Sequence, residues 1–141
     1  MKSVAAIAVF LICLAIALLH YYWSFGGQWG KWAAIPTRND GTHVIRPGFL
    51  STLIVALSLS AFAVFSLTEI RILDLPIAPV VKRFGFWTIA VIFLARAVGD
   101  LKYFGFLKKI RNTQFGKRDT KFYSPVCVLI GILNVFLAVS T

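Results

Sequence analysis

Long apolar runs broken by short polar segments set the pattern of this chain. No charged residue falls between Ser3 and Gln28, between Pro47 and Thr68, or between Phe122 and Thr141. A helix needs about 20 mostly apolar residues to cross the hydrocarbon of a bilayer. The pattern therefore predicts membrane helices over about 4–22, 49–67 and 122–140, and a third in chain order over about 84–104. That third run is interrupted by Arg96 and Asp100 but is continuously apolar from Phe84 to Ala95. The fold expected is an all-α integral membrane four-helix bundle, a single transmembrane domain over residues 1–141. The first run ends in His20-Tyr21-Tyr22-Trp23 rather than a small-residue cleavage site, so it is expected to stay in place as a span.

Punctuation along the chain agrees. Ser124-Pro125 reads as an N-cap followed by proline at the first helical position, and Pro47-Gly48 precedes the second span. Pro76 and Pro79 break the chain before the third. Trp23, Trp29, Trp32, Tyr103 and Tyr123 fall near the expected membrane edges, where amphipathic rings collect. Ala56, Ser60 and Gly131 are small enough to admit close helix contacts.

Composition strengthens the membrane reading. The 141 residues are 59% hydrophobic and only 14% charged, with a mean hydropathy of +0.82, where a soluble domain carries roughly a quarter charged residues. The net charge of +10 does not point to nucleic acid, because the cations sit in segments between apolar runs rather than on a soluble basic face. Four spans would put Lys2, Arg71, Lys82 and Arg83 on one side. The other side would hold Lys31, Arg38, Arg46, Lys102, Lys108, Lys109, Arg111, Lys117, Arg118 and Lys121. Ten cations against four place both basic loops in the cytoplasm and both termini outside it.

Candidate chemistry is confined to the basic side. On a helix ending near Phe104, Arg96 and Asp100 lie about 12 Å and 6 Å from the cytoplasmic end. At i and i+4 they can pair, and a charge at membrane depth marks either a packing lock or a site. His20, Ser51, Thr52, Tyr123 and Ser124 fall at the same end of other helices, with Asn134 about 15 Å further in. His20, Arg96, Asp100, Tyr123 and Asn134 are the candidate ligand-binding residues. Glycines gather on that side too, including Gly26, Gly27, Gly99 and Gly105, where they permit tight turns and close backbone approach. No catalytic set is legible: His20 and His43 are the only histidines, and no His/Cys/acid cluster has metal-ligand spacing. Cys13 and Cys127 lie apart inside apolar runs without a Cys-x-x-Cys pair. No metal or cofactor is expected. The mixed basic and aromatic stretch 105–122 suits an anionic leaflet as well as simple topology determination.

His20-Tyr21-Tyr22-Trp23 with Gly26-Gly27, Arg96-Ala97-Val98-Gly99-Asp100, and Asp119-Thr120 leading to Tyr123-Ser124-Pro125-Val126-Cys127 together resemble a family of small bacterial membrane proteins, domain of unknown function 3995. Phe115-Gly116 and Asp100-Leu101 depart from its usual Phe-Ala and Asp-Phe. The resemblance implies four spans and a bacterial inner membrane, and brings no activity.

Three readings follow. The first is a cytoplasm-facing polar cavity that binds an anionic or amphipathic small molecule such as a lipid headgroup. The second is an accessory or scaffold subunit, with a membrane protein or a second copy as partner, whose Arg–Asp pair only specifies packing. The third is a membrane enzyme or transporter for a lipid-soluble substrate, against which stand the lack of a nucleophile, base or metal set and of an internal repeat.

Overall fold

The computed structural model describes every residue except Arg71, Leu73 and Asp74, so the expected placement of Arg71 lies outside it. The chain forms four long helices: α1 (Lys2–Ser24), α2 (Phe49–Leu67), α3 (Pro79–Val98) and α4 (Gln114–Ser140). Short 3-10 turns occupy Trp32–Ala34 and Thr68–Ile70, and a lone bridge joins Thr37 to His43. α1 packs along α2, α3 along α4, and α1 against α4, closing an up-down-up-down bundle.

Packing follows small residues. Ala6, Val9, Cys13 and Ala17 form the buried stripe of α1, while Ile7, Leu11 and Leu18 on other faces are exposed. A helix apolar on both its packed and its open face suits lipid, not water, as the outer solvent. The Tyr21 hydroxyl meets Ser60 Oγ at 3.2 Å across α1 and α2, and Ala56 is fully buried. At Gly131 an added Cβ would stand 2.6 Å from the Leu94 side chain, so α3 and α4 approach closely there. Phe65 packs on Phe86 at 5.0 Å and ties α2 to α3.

The bundle has two dissimilar ends. At one, Lys2 pairs with Glu69 at 3.5 Å and donates to the carbonyl of Ser140, while the Lys82 ammonium caps the carbonyl of Thr68 at 2.9 Å. At the other, the segment 25–48 meets the segment 99–113, and the Tyr123 hydroxyl reaches the Ala33 carbonyl at 3.4 Å. The grouping of helix ends expected from four antiparallel runs is the one observed.

α1, α2 extended to Ile70, and α4 are each long and apolar enough to cross a membrane. α3 is not among them, since Lys82, Arg83 and Arg96 all lie within its 20 residues.

Two helices differ from their expected bounds. α3 starts at Pro79 and stops at Val98, short of Phe104, because Gly99 takes φ +90° and leaves the helix. α4 starts at Gln114, well before Phe122, and Ser124 is no cap but an ordinary helical residue within it. Thr113 is the cap, its Oγ1 accepting from the Gly116 N–H at 3.0 Å. Pro125 is accommodated inside a helix by a π-turn over Asp119–Tyr123. Proline cannot donate and its ring crowds the carbonyl four residues back. The wider turn, in which the Ser124 N–H bonds the Asp119 carbonyl, relieves both.

Candidate functional site

Asp119 opens the π-turn with its side chain fully buried. Its Oδ1 accepts from Arg96 Nη2 at 3.1 Å. Its Oδ2 accepts from the Gly105 N–H at 2.7 Å and from Lys108 Nζ at 3.0 Å. Lys108 is also buried, and its ammonium further donates to the Gly105 carbonyl at 2.8 Å and to Thr120 Oγ1 at 2.6 Å. Three acceptors match its three protons. The Arg96 guanidinium lies over the Phe104 ring at 4.6 Å, and its Nη1 is buried without a partner. The cluster carries two cations on one carboxylate and bolts α3, α4 and the segment between them together.

Glycine makes the arrangement reachable. Gly99 and Gly105 both have positive φ and lie against each other: a Cβ on Gly105 would stand 2.4 Å from Gly99 Cα, and one on Gly99 would stand 1.8 Å from the Phe104 carbonyl oxygen. The crossing returns Phe106 N–H to the Ala97 carbonyl at 2.8 Å and aims the Gly105 amide at Asp119.

The pairing expected between Arg96 and Asp100 is therefore not formed. Asp100 has left the helix, and its Oδ1 accepts from the backbone N–H groups of Lys102, Tyr103 and Phe104 at 3.0, 2.7 and 3.1 Å. Slight burial pushes this carboxyl upward, but the three donors outweigh it and hold the pKa below the ordinary 3.8. Tyr123 packs beside Phe115. Asn134 is fully buried, with Nδ2 on the Ile130 carbonyl at 2.8 Å and Oδ1 unpartnered. The five candidate residues do not converge on one cavity.

Of those five, only His20 lines either of the two cavities at this end. The first, of 460 Å³, lies where α1 ends and α2 begins, under the segment that joins them. Lys31, Arg46, His20, Ser51 and Thr52 supply its polar groups, and Ile35, Ile45, Pro47 and Val55 its apolar wall. Among the described residues no carboxylate lines it. His20 Nδ1 bonds the Ile16 carbonyl at 2.8 Å. A carbonyl can only accept, so Nδ1 carries the proton and Nε2 is the ring's remaining acceptor. The second cavity, of 410 Å³, lies between the hairpin around Asn39 and the start of α4. Among the described residues no group of three His, Cys, Asp or Glu side chains could hold a metal ion.

The family model described as protein of unknown function (DUF3995) matches residues 13–134. The chain belongs to that family. The DUF3995 match takes in both cavities and the whole Asp119 cluster, and at the opposite end includes Thr68, Glu69 and Lys82 but leaves out Lys2 and Ser140. Comparison with curated proteins and with solved structures found no match.

Sequence reasoning missed Asp119 as the partner of Arg96 and Lys108, and Lys31 and Arg46 as cavity cations. A usable signal existed for Asp119: it is the single acid in the run Lys117-Arg118-Asp119-Thr120-Lys121. An acid kept among cations at a membrane edge is a candidate for internal pairing.

Proposed function

We propose that this protein is a four-pass bacterial inner-membrane protein that binds an amphipathic anion, a lipid headgroup, in the cavity lined by His20, Lys31, Arg46, Ser51 and Thr52. In this reading α3 is the fourth span, the cavity end faces the cytoplasm, and both termini face outward. The observation that carries it is the lining itself: two cations and no carboxylate beside an apolar wall. An ammonium and a guanidinium suit a phosphate, and Val55 and Ile45 suit the first carbons of an acyl chain, while the hydroxyls of Ser51 and Thr52 donate to the Gly48 carbonyl at 3.0 and 2.9 Å. A cavity at the end of two membrane-crossing helices would lie at headgroup depth, which supports this reading.

The test is native mass spectrometry of the protein extracted in mild detergent, alongside a Lys31→Ala/Arg46→Ala variant that still melts like the parent. The expected result is one retained anionic lipid whose occupancy falls about tenfold in the variant, equivalent to about 1.4 kcal/mol. Equal retention by both proteins, or none by either, would sink the assignment.

For Arg96 a different reading has support. Both oxygens of Asp119 and all three protons of Lys108 are spent inside the protein, so this cluster acts as a packing lock. That arrangement also suits a scaffold subunit, whose lipid-free wild type would co-purify with a membrane partner.

A further inference from the structure

We propose that the second cavity, between the 37–43 hairpin and the start of α4, is a binding site for a sugar ring. It is walled by Trp32, Arg38, Asn39, His43, Asn112 and Gln114, and its chemistry differs from that of the cavity beside it. Three primary amides each set a donor next to an acceptor, the pattern that matches neighbouring hydroxyl groups on a ring. Arg38 is the only cation in the lining, too little positive charge to favour a phosphate over a neutral polyol.

The hairpin keeps negative charge out. Asp40 lies between two lining residues, yet its Oδ1 is held by the Thr42 N–H at 2.9 Å and the Thr42 hydroxyl at 2.7 Å. The turn is closed by Arg38 N–H on the Thr42 carbonyl at 2.8 Å and by Gly41 at φ +83°. Arg38 and Asn39 are thereby set on the same wall as Asn112 and Gln114.

Two further features point to an occupant. Trp32 remains 46% exposed, although the His43 ring braces it at 4.9 Å. The Lys31 ammonium also lies over the ring, 6.0 Å from its centroid, and the indole surface that these two neighbours leave open is a platform for the C–H face of a sugar. His43 Nδ1 is buried without a hydrogen-bond partner, which costs the protein stability unless something bonds it. A ring hydroxyl can do so as donor or acceptor. The 410 Å³ of space is in the range of small-molecule sites, roughly 300–1,000 Å³.

The ring could belong to a glycolipid headgroup or to a free saccharide, and one experiment separates them. The full chain is placed in phosphatidylglycerol nanodiscs. Saturation-transfer NMR is recorded with glucose, galactose, mannose and myo-inositol, and native mass spectrometry with discs doped with glucosyl diacylglycerol. Saturation of a free ring identifies a soluble ligand; retention of the glycolipid without it identifies a headgroup. Trp32→Leu should weaken either signal at least about tenfold. Asn112→Ala or Asn39→Ala, both at exposed positions, should each weaken it by roughly two- to tenfold, one hydrogen bond's worth, and they carry the test if Trp32→Leu does not fold. The proposal falls if neither probe binds the parent protein, or if binding is the same in the Asn112 and Asn39 variants.

Discussion

Two groups of cations lie at the same end of this bundle and have opposite fates. Arg96 and Lys108 converge on the buried Asp119, which also takes a backbone N–H, so that both carboxylate oxygens and all three protons of Lys108 are spent inside the fold. Lys31 and Arg46 line a cavity that no carboxylate enters. Both groups count equally toward the net charge. What separates them is whether an acid is packed within reach. Charge on this protein is structural where it is answered internally and available where it is not.

Removing Asp119 should break that contrast most severely. Asp119→Ala strands two cations, one of them fully buried, and should cost about 3–5 kcal/mol, read as a large fall in melting temperature in mild detergent. A variant that melted like the parent would show that the cluster does not lock the fold.

Next comes the backbone crossing that delivers the Gly105 amide to Asp119. Gly105→Ala must move Gly99 and also adopt a disfavoured φ, at about 1–3 kcal/mol. Gly41→Ala, whose Cβ would meet nothing within 4 Å, should cost less and serves as the control for φ alone.

The third contrast is between stability and binding. Lys31→Ala/Arg46→Ala should stay within about 0.5 kcal/mol of the parent in stability while lipid retention drops about tenfold. If it melted far lower, these cations would belong with the locked group.

The smallest effect is expected at Asp100, whose exposed carboxylate organises the turn after α3. Asp100→Asn should cost up to about 1 kcal/mol. Because its folded pKa lies below the ordinary 3.8, that contribution is complete above this value and is lost as pH falls through the folded pKa. The gap between parent and variant should therefore close in acid, in melting curves from pH 6 down to pH 3.

The four helices, their alternating direction and the gathering of polar groups at one end were all legible in the sequence. Each follows from the length of apolar runs and the placement of cations, which are one-dimensional properties. The partner of Arg96 was not. Asp100 follows it at helical spacing, and only the positive φ of Gly99 takes Asp100 off the helix. Asp119 lies 23 residues away from Arg96, across a loop whose path depends on two glycines touching. Depth along a helix was readable, but the direction a side chain faces was not. His20 turns to the loop cavity and Asn134 to the core, although their polarity suits a shared site.

The π-turn before Pro125 also sets the angular phase of α4. Each residue advances an α-helix by about 100°, so a widened turn offsets everything upstream of it relative to the transmembrane part. Asp119 faces Arg96 and Lys108 while Asn134, Ile130 and Leu137 face the core because that offset is present. Deleting a single residue from 120–123 would leave the Asp119 side chain itself unaltered. It would swing the carboxylate by about a quarter turn, so alignment gaps at this place would carry more information than substitutions.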